Sequence, residues 1–212
     1  MKTQITKPIF IGVINHNDTP GNKSVDIAKE WFKELEPQFD SYVVDTANMT
    51  GEQFFTKMIN LIQGRIDVCI YFCIHGKQIP NPETNIKEEY LKLNEKNLIK
   101  DTEFTEWLNA LNLRHIYIYF EVCHSGGLIN ILKADTPYID DDYTFVAFAT
   151  CAKDEKCYVQ FTQTASGKIT IGFASSFLLQ NSINPFIMPN VAYVALKKQY
   201  PYLSPKVLEV RS

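Results

Sequence analysis

Short runs of apolar residues alternate along the chain with segments in which apolar positions recur at helical spacing. That alternation marks strand-helix-strand crossovers, and it predicts an α/β fold with a largely parallel sheet. PIFIGVI (8–14) predicts the first strand. SVDIAKEWFKELE (24–36) predicts a helix, with Ser24 placed to cap it. DSYVVDT (40–46) predicts a second strand, and TGEQFFTKMINLIQG (50–64) a helix with a threonine cap and a terminal glycine. IDVCIYFCIHG (66–76) is almost continuously apolar, as a strand buried on both faces should be, and it ends at His75-Gly76. A polar stretch (77–89) leads to a short ribbon around YLKLNEKNLIK (90–100), then to a helix at 101–111. RHIYIYFEVC (114–123) and YTFVAFATCA (143–152) predict two further strands, and IGFASSFLLQNS (171–182) a closing helix.

With 212 residues, 45% of them hydrophobic, the chain can bury one sizeable core, so a single domain over 1–212 is expected. The start, MKTQITKPIFIG, has no long apolar segment after its basic residues, which points to a soluble, cytoplasmic protein without a membrane span. A net charge of −3 with mixed signs argues against a nucleic-acid surface. The five cysteines (69, 73, 123, 151, 157) are odd in number and lack paired metal-ligand spacing, so neither a disulfide framework nor a zinc site is favoured.

In an open α/β sheet, ligands bind beyond the carboxyl ends of the strands, which is where His75 and Cys123 fall. If their strands are neighbours, the two side chains share one rim, and an imidazole there can assist a thiolate nucleophile in acyl transfer. Gly76 allows a tight turn and can bring its N–H near a reacting carbonyl, with the Cys123 N–H completing an oxyanion hole. Gly126 and Gly127 permit a sharp exit that exposes the sulfur. Cys69, Cys73 and Cys151 read as small core residues. His124 is a rival base, but it adjoins the cysteine along the chain; His16 and His115 read as structural.

These segments resemble the caspase-like cysteine peptidases, and among them the metacaspases and their bacterial relatives. YFCIHG (71–76) is similar to the Tyr-Phe/Tyr-Ser-Gly-His-Gly segment of metacaspases, and EVCHSGG (121–127) to their Asp-Ser-Cys-His-Ser-Gly segment. IGVINH, HGKQIPNPE and GFASSFLL resemble the family's first strand, post-histidine loop and late helix. The resemblance implies a three-layer α/β/α sandwich with a mostly parallel sheet of about six strands. It implies His75 as general base, Cys123 as nucleophile, and the amides of Gly76 and Cys123 as oxyanion donors. Legumain, with Glu-Ala-Cys-Glu-Ser-Gly, is similar at Glu121. Cys73 and Ile74 depart from the metacaspase pattern, which has Ser-Gly before the histidine.

The expected substrate is a protein or peptide, cut after Arg or Lys. The chain has only three arginines, Arg65, Arg114 and Arg211, and none is expected at the active rim to grip an aspartate. Glu121 lies two residues before the nucleophile on its face of the strand, Asp154 follows the fifth strand, and Asp26 resembles the acidic pocket position of the metacaspase first helix. Such carboxylates favour a cationic side chain through charge-assisted hydrogen bonds. No cofactor is expected. Calcium activation, common in metacaspases, has little support: Glu88 and Glu89 are present, but Asn130 stands where an aspartate is expected, and DTPYIDDDY (135–143) reads as a solvated loop. Lys133 is a candidate self-processing point. Two other readings remain open: a latent or non-catalytic caspase-like binding module, and asparagine-directed cleavage as in legumain.

Overall fold

The computed structural model describes residues 7–17, 19–111, 113–128, 144–156, 160–163, 169–172, 198 and 206–211. The chain runs β1 (Ile9–Ile14), α1 (Thr19–Leu35), β2 (Asp40–Asp45), α2 (Gly51–Ile62), β3 (Asp67–Cys73), β4 (His75–Pro80), β5 (Lys87–Lys92), β6 (Leu98–Lys100), α3 (Asp101–Asn109), β7 (His115–Phe120), β8 (Thr144–Ala149), β9 (Gln160–Gln163), β10 (Ile169–Gly172) and β11 (Lys206–Arg211). Six strands form the central sheet in the order β11-β8-β7-β3-β1-β2. Its first five strands in sequence are mutually parallel, and β11 joins β8 antiparallel.

The inner strands β1, β3, β7 and β8 are buried on both faces because they are apolar at nearly every position, not at alternate ones. One face carries Ile9, Ile11, Val68, Ile70, Phe72, Ile118 and Phe120, packed with Phe54, Met58 and Ile62 of α2 and Phe104 and Leu108 of α3. Phe72 lies at its centre: its ring stacks on Phe120 at 5.2 Å and meets Phe104 edge-on at 5.5 Å. The other face presents Phe10, Tyr71 and Tyr119. There Phe32, from the buried stripe Val25, Ala28 and Phe32 of α1, lies 5.6 Å from Phe10. Helices on both faces give the expected three layers.

α2 begins as its sequence predicts. The Thr50 side chain accepts from the Gln53 N–H, and the Gln53 side chain accepts from the Thr50 N–H, which satisfies two of the donors a helix start leaves open. Gly64, just past the end, has φ 80°.

Three expectations need correction. α1 starts at Thr19, where Pro20 fits a first helical turn, so Ser24 is fully buried inside the helix and does not cap it. The strand expected over 66–76 is two: β3 ends at Cys73, buried Ile74 carries the bend, and β4 starts at His75 and pairs with β5 in a separate three-stranded ribbon, β4-β5-β6. Much of the polar stretch 77–89 is therefore strand, held by the antiparallel pairing from Lys77↔Tyr90 to Pro80↔Lys87 and half-exposed, which is why no apolar run marks it. Finally, Ile171 and Gly172, read as a helix start, pair with β9, and the remainder of that predicted helix lies outside the described residues. Among the described residues, no helix is long and apolar enough to cross a membrane.

Thr50→Ala should lower unfolding stability by about 1 kcal/mol, the usual worth of a helix cap. A lower urea midpoint at unchanged slope is the expected result.

Candidate active site

β3 and β7 are direct neighbours in register, with Phe72 opposite Phe120, and the Glu121 N–H continues the ladder by donating to the Phe72 carbonyl at 2.9 Å. The two chains then part: β3 bends at Ile74 into the ribbon, while β7 runs into the turn 121–124 and a helical turn at 125–128. At that parting Gly76 packs directly on the Cys123 backbone. A methyl group built on Gly76 would fall 1.9 Å from the Cys123 carbonyl oxygen and 2.7 Å from Val122 Cγ1, so no side chain fits there. His75 is exposed and adjoins this contact along the chain, and Cys123 is partly exposed. The expected base and nucleophile thus share the carboxyl-end rim of two adjacent strands.

Solvent access separates Cys123 from the other described cysteines. Cys69, Cys73 and Cys151 are buried, and none of the four is in a disulfide. Burial pushes the Cys69 thiol well above its ordinary value, and Cys151 is raised for the same reason, partly offset by hydrogen bonds from Ser125. Cys69 and Cys151 are therefore poor thiolates.

The turn that presents Cys123 takes its left-handed residue from His124, at φ 63°, not from the glycines after it. His124 is held there from outside: its N–H donates to the Glu155 carbonyl at 2.9 Å, and Nδ1 lies 3.0 Å from the Lys153 carbonyl, so Nδ1 carries a proton. Gly126 and Gly127 serve close approach. Side chains there would run into the backbone of 151–153 and into the Glu89 side chain respectively. Cys151 sits beneath the turn, its sulfur 3.5 Å from Ser125 Oγ and 3.4 Å from the Val122 carbonyl.

The ribbon braces the same turn. Gln78 donates to Glu89 at 3.1 Å and to the Lys153 carbonyl at 2.8 Å, and Lys153 Nζ lies 3.5 Å from the buried Glu89 carboxylate. No sequence spacing connects Gln78, Glu89, Lys153 and Glu155 to Cys123. The only local signal was the pair of glycines, which have to be small for these groups to approach.

The three carboxylates expected to bind substrate lie in different surroundings. Glu121 is buried, 4% exposed, at the end of β7. Asp154 is exposed in the loop after β8, 3.9 Å from Lys87 Nζ. Asp26 is exposed on α1. Arg65 and Arg114 precede β3 and β7, and Arg211 pairs in register with Thr144 at the start of β8, so all three arginines lie at the amino end of the parallel strands. His16 and His115 bond to Asp45 and Asp67, and His115 is likewise at the amino end. Glu88 is held by Lys100, Asn81 and Tyr90, hydrogen bonds that pull its carboxyl down to about 2. Among the described residues, no group of three or more metal-ligating side chains occurs. Asn130, Lys133 and the segment 135–143 lie outside the described residues.

A cleft of about 520 Å³ opens beside His75, between the carboxyl ends of β1 and β2 and the β5-β6 turn. Its walls are knitted by asparagines. Asn94 donates to the Thr46 and Met49 carbonyls, and Asn15 to the Leu93 carbonyl. Thr46 adds a hydrogen bond to Leu93 at 2.6 Å.

Caspase-1 from Spodoptera frugiperda has a similar fold, with a TM-score of 0.55 at 10% identity, covering 98% of this chain and 88% of that one. Raptor from Chaetomium thermophilum aligns with a TM-score of 0.43 at 11% identity, covering 95% of this chain and 19% of that one. No family model and no curated protein matches the chain. The fold is caspase-like, with a mostly parallel central sheet between helices.

Iodoacetamide applied to the native protein should label Cys123, while Cys69, Cys73 and Cys151 should react only after unfolding; peptide mass mapping checks this. Gly76→Ala should lower stability by roughly 1–3 kcal/mol, because the new methyl meets the Cys123 backbone first and the Val122 side chain next. Denaturant unfolding of that variant measures the loss.

Proposed function

We propose that the protein is a cysteine endopeptidase in which Cys123 is the nucleophile and His75 moves the protons. The observation that carries this reading is the placement of one solvent-reached thiol and one exposed imidazole about a single backbone contact, Gly76 on Cys123, beyond two adjacent parallel strands. The caspase-like fold supports it, since a sheet of this kind offers its carboxyl-end rim to ligands.

The chemistry follows from the residue types. His75 takes the thiol proton, and the thiolate adds to the carbonyl carbon of the scissile bond, forming a C–S bond and an oxyanion. The N–H groups of Gly76 and Cys123 are the candidate donors to that oxyanion. Collapse of the adduct breaks the C–N bond as His75 passes its proton to the leaving amine. Water, deprotonated by His75, then hydrolyses the thioester, releasing the acid product and restoring the thiol.

Cleavage after Arg or Lys is the specificity this reading carries. Its support is Glu121, a buried carboxylate just past the end of β7 and two residues before Cys123, together with arginines confined to the far end of the sheet. A site that binds a basic side chain needs local negative charge, and charge inside a poorly solvated wall acts more strongly than charge in water. Asp154 and Asp26 are the further candidates from outer elements. Calcium and self-processing at Lys133 belong to the same assay, as a comparison with chelator and a check for chain cleavage.

The test is a panel of fluorogenic peptides differing only in the residue before the cleaved bond, given to wild type and to Cys123→Ala, with calcium and with chelator. Cleavage after Arg or Lys by wild type, reduced at least a thousandfold in Cys123→Ala, is the expected outcome; loss of a nucleophile costs on the order of 10⁶ in well-studied hydrolases. Glu121→Gln should lower kcat/KM for basic substrates by roughly tenfold or more, the worth of a charge-assisted hydrogen bond. No turnover of any peptide, with Cys123 unlabelled by a peptidyl thiol-reactive inhibitor, would refute the assignment.

A further inference from the structure

The cleft beside His75 includes that imidazole in its lining but not Cys123. In acyl transfer to a thiol the two groups serve opposite halves of the substrate: the sulfur keeps the acyl half, and the imidazole gives its proton to the departing amine. A cavity that opens on the imidazole alone therefore lies where the leaving half passes.

The chemistry of the wall says what that half should be. Asn15 and Asn94 are spent on construction: Asn15 donates to Leu93 and accepts from the Asn17 N–H, while Asn94 donates to Thr46 and Met49 and accepts from Lys96 and Asn97. They make a fixed frame from three separate loops. Asn17 and Asn48, both exposed, add amide heads that can donate and accept. The one carboxylate in the lining, Glu95, is bonded to Lys92 at 2.7 Å, so it brings its own counter-charge. That hydrogen bond holds the Glu95 carboxyl below its usual range, with smaller help from the nearby Lys77 charge. Lys96 adds a cation on the same turn. Amides dominate, with both signs of charge present at the edge. The volume is within the range of pockets that enclose small ligands, roughly 300–1,000 Å³.

Building on the peptidase reading, we propose that this amide-lined cleft binds the residue immediately following the scissile bond and selects a polar, uncharged side chain there. Serine, threonine, asparagine and glutamine can exchange hydrogen bonds with Asn17 and Asn48. A large apolar residue would strip water from those amides and return nothing.

The test uses internally quenched peptides that share every residue before the bond and vary only the one after it, beside a coumarin amide that carries no residue there. The expected result is that kcat/KM is roughly three- to tenfold higher for Ser, Thr, Asn and Gln than for Leu or Phe, the worth of about one hydrogen bond at a partly open site. Asn48→Leu should collapse that ratio toward one; Asn17→Leu provides an independent second variant. A wild-type ratio of one, with the coumarin amide cleaved, overturns the cleft assignment and leaves the peptidase reading standing. A ratio that survives in both variants overturns the assignment as well. If neither the coumarin amide nor any peptide is cleaved, the peptidase reading fails and the cleft assignment falls with it.

Discussion

The site depends on one steric constraint: the Gly76 backbone and the Cys123 carbonyl occupy space that leaves no room for a side chain between them. Two neighbouring strands of a parallel sheet diverge as they leave it, because one enters a ribbon and the other a helical turn. The contact closes that divergence at the point where His75 and Cys123 emerge. Any residue larger than glycine would push the ribbon off the turn, and with it the imidazole away from the thiol.

Holding that contact takes support from both sides. On one side, the ribbon is strapped to the ends of β1 and β2 through Asn94, Asn15 and Thr46, so β4 cannot swing outward. On the other, the loop after β8 grips the turn that carries Cys123 through the carbonyls of Lys153 and Glu155. The grip acts on His124, whose φ of 63° is costly for a residue with a side chain and persists only where surrounding bonds fix it. Strain of this kind just after a candidate nucleophile fits a turn shaped to present a side chain, because an unconstrained chain would relax it. The Gln78-Glu89-Lys153 cluster joins the two supports, tying ribbon to loop behind the turn.

What could be read from the sequence follows from the range of the interactions involved. The inner parallel strands were legible because burial on both faces leaves continuous apolar runs, and α2 because its cap and its terminal glycine are local. That His75 and Cys123 fall on one rim was legible because strand ends are visible and a parallel sheet aligns them. β4 was hidden since a half-exposed ribbon strand carries polar residues such as Lys77 and Gln78, and its strand identity comes from β5. The start of α1 was missed because Pro20-Gly21 reads as a break when the rest of the helix is unseen. The braces of the turn were beyond reach for a different reason: Gln78 and Lys153 are 75 residues apart, and only the fold brings them together.

The three candidate carboxylates are not equal in what they could do for a bound cation. Charges around the ribbon pair with one another, Lys92 with Glu95, Lys87 with Asp154, Lys100 with Glu88, and a pair in contact with solvent is worth little. Asp154, with its side chain 75% exposed and Lys87 nearby, is screened twice, by solvent and by its partner. Asp26, exposed on an outer helix, would reach a bound cation only through solvent. Glu121 differs in kind, since at 4% exposure it sits where the effective dielectric is low and the cost of ionisation is high. A basic side chain brought beside it would favour the ionised form of that carboxyl and interact with it more strongly than with a carboxylate in water. On these grounds selectivity for Arg or Lys would rest chiefly on Glu121, with Asp154 and Asp26 tuning the approach of substrate more than its final binding.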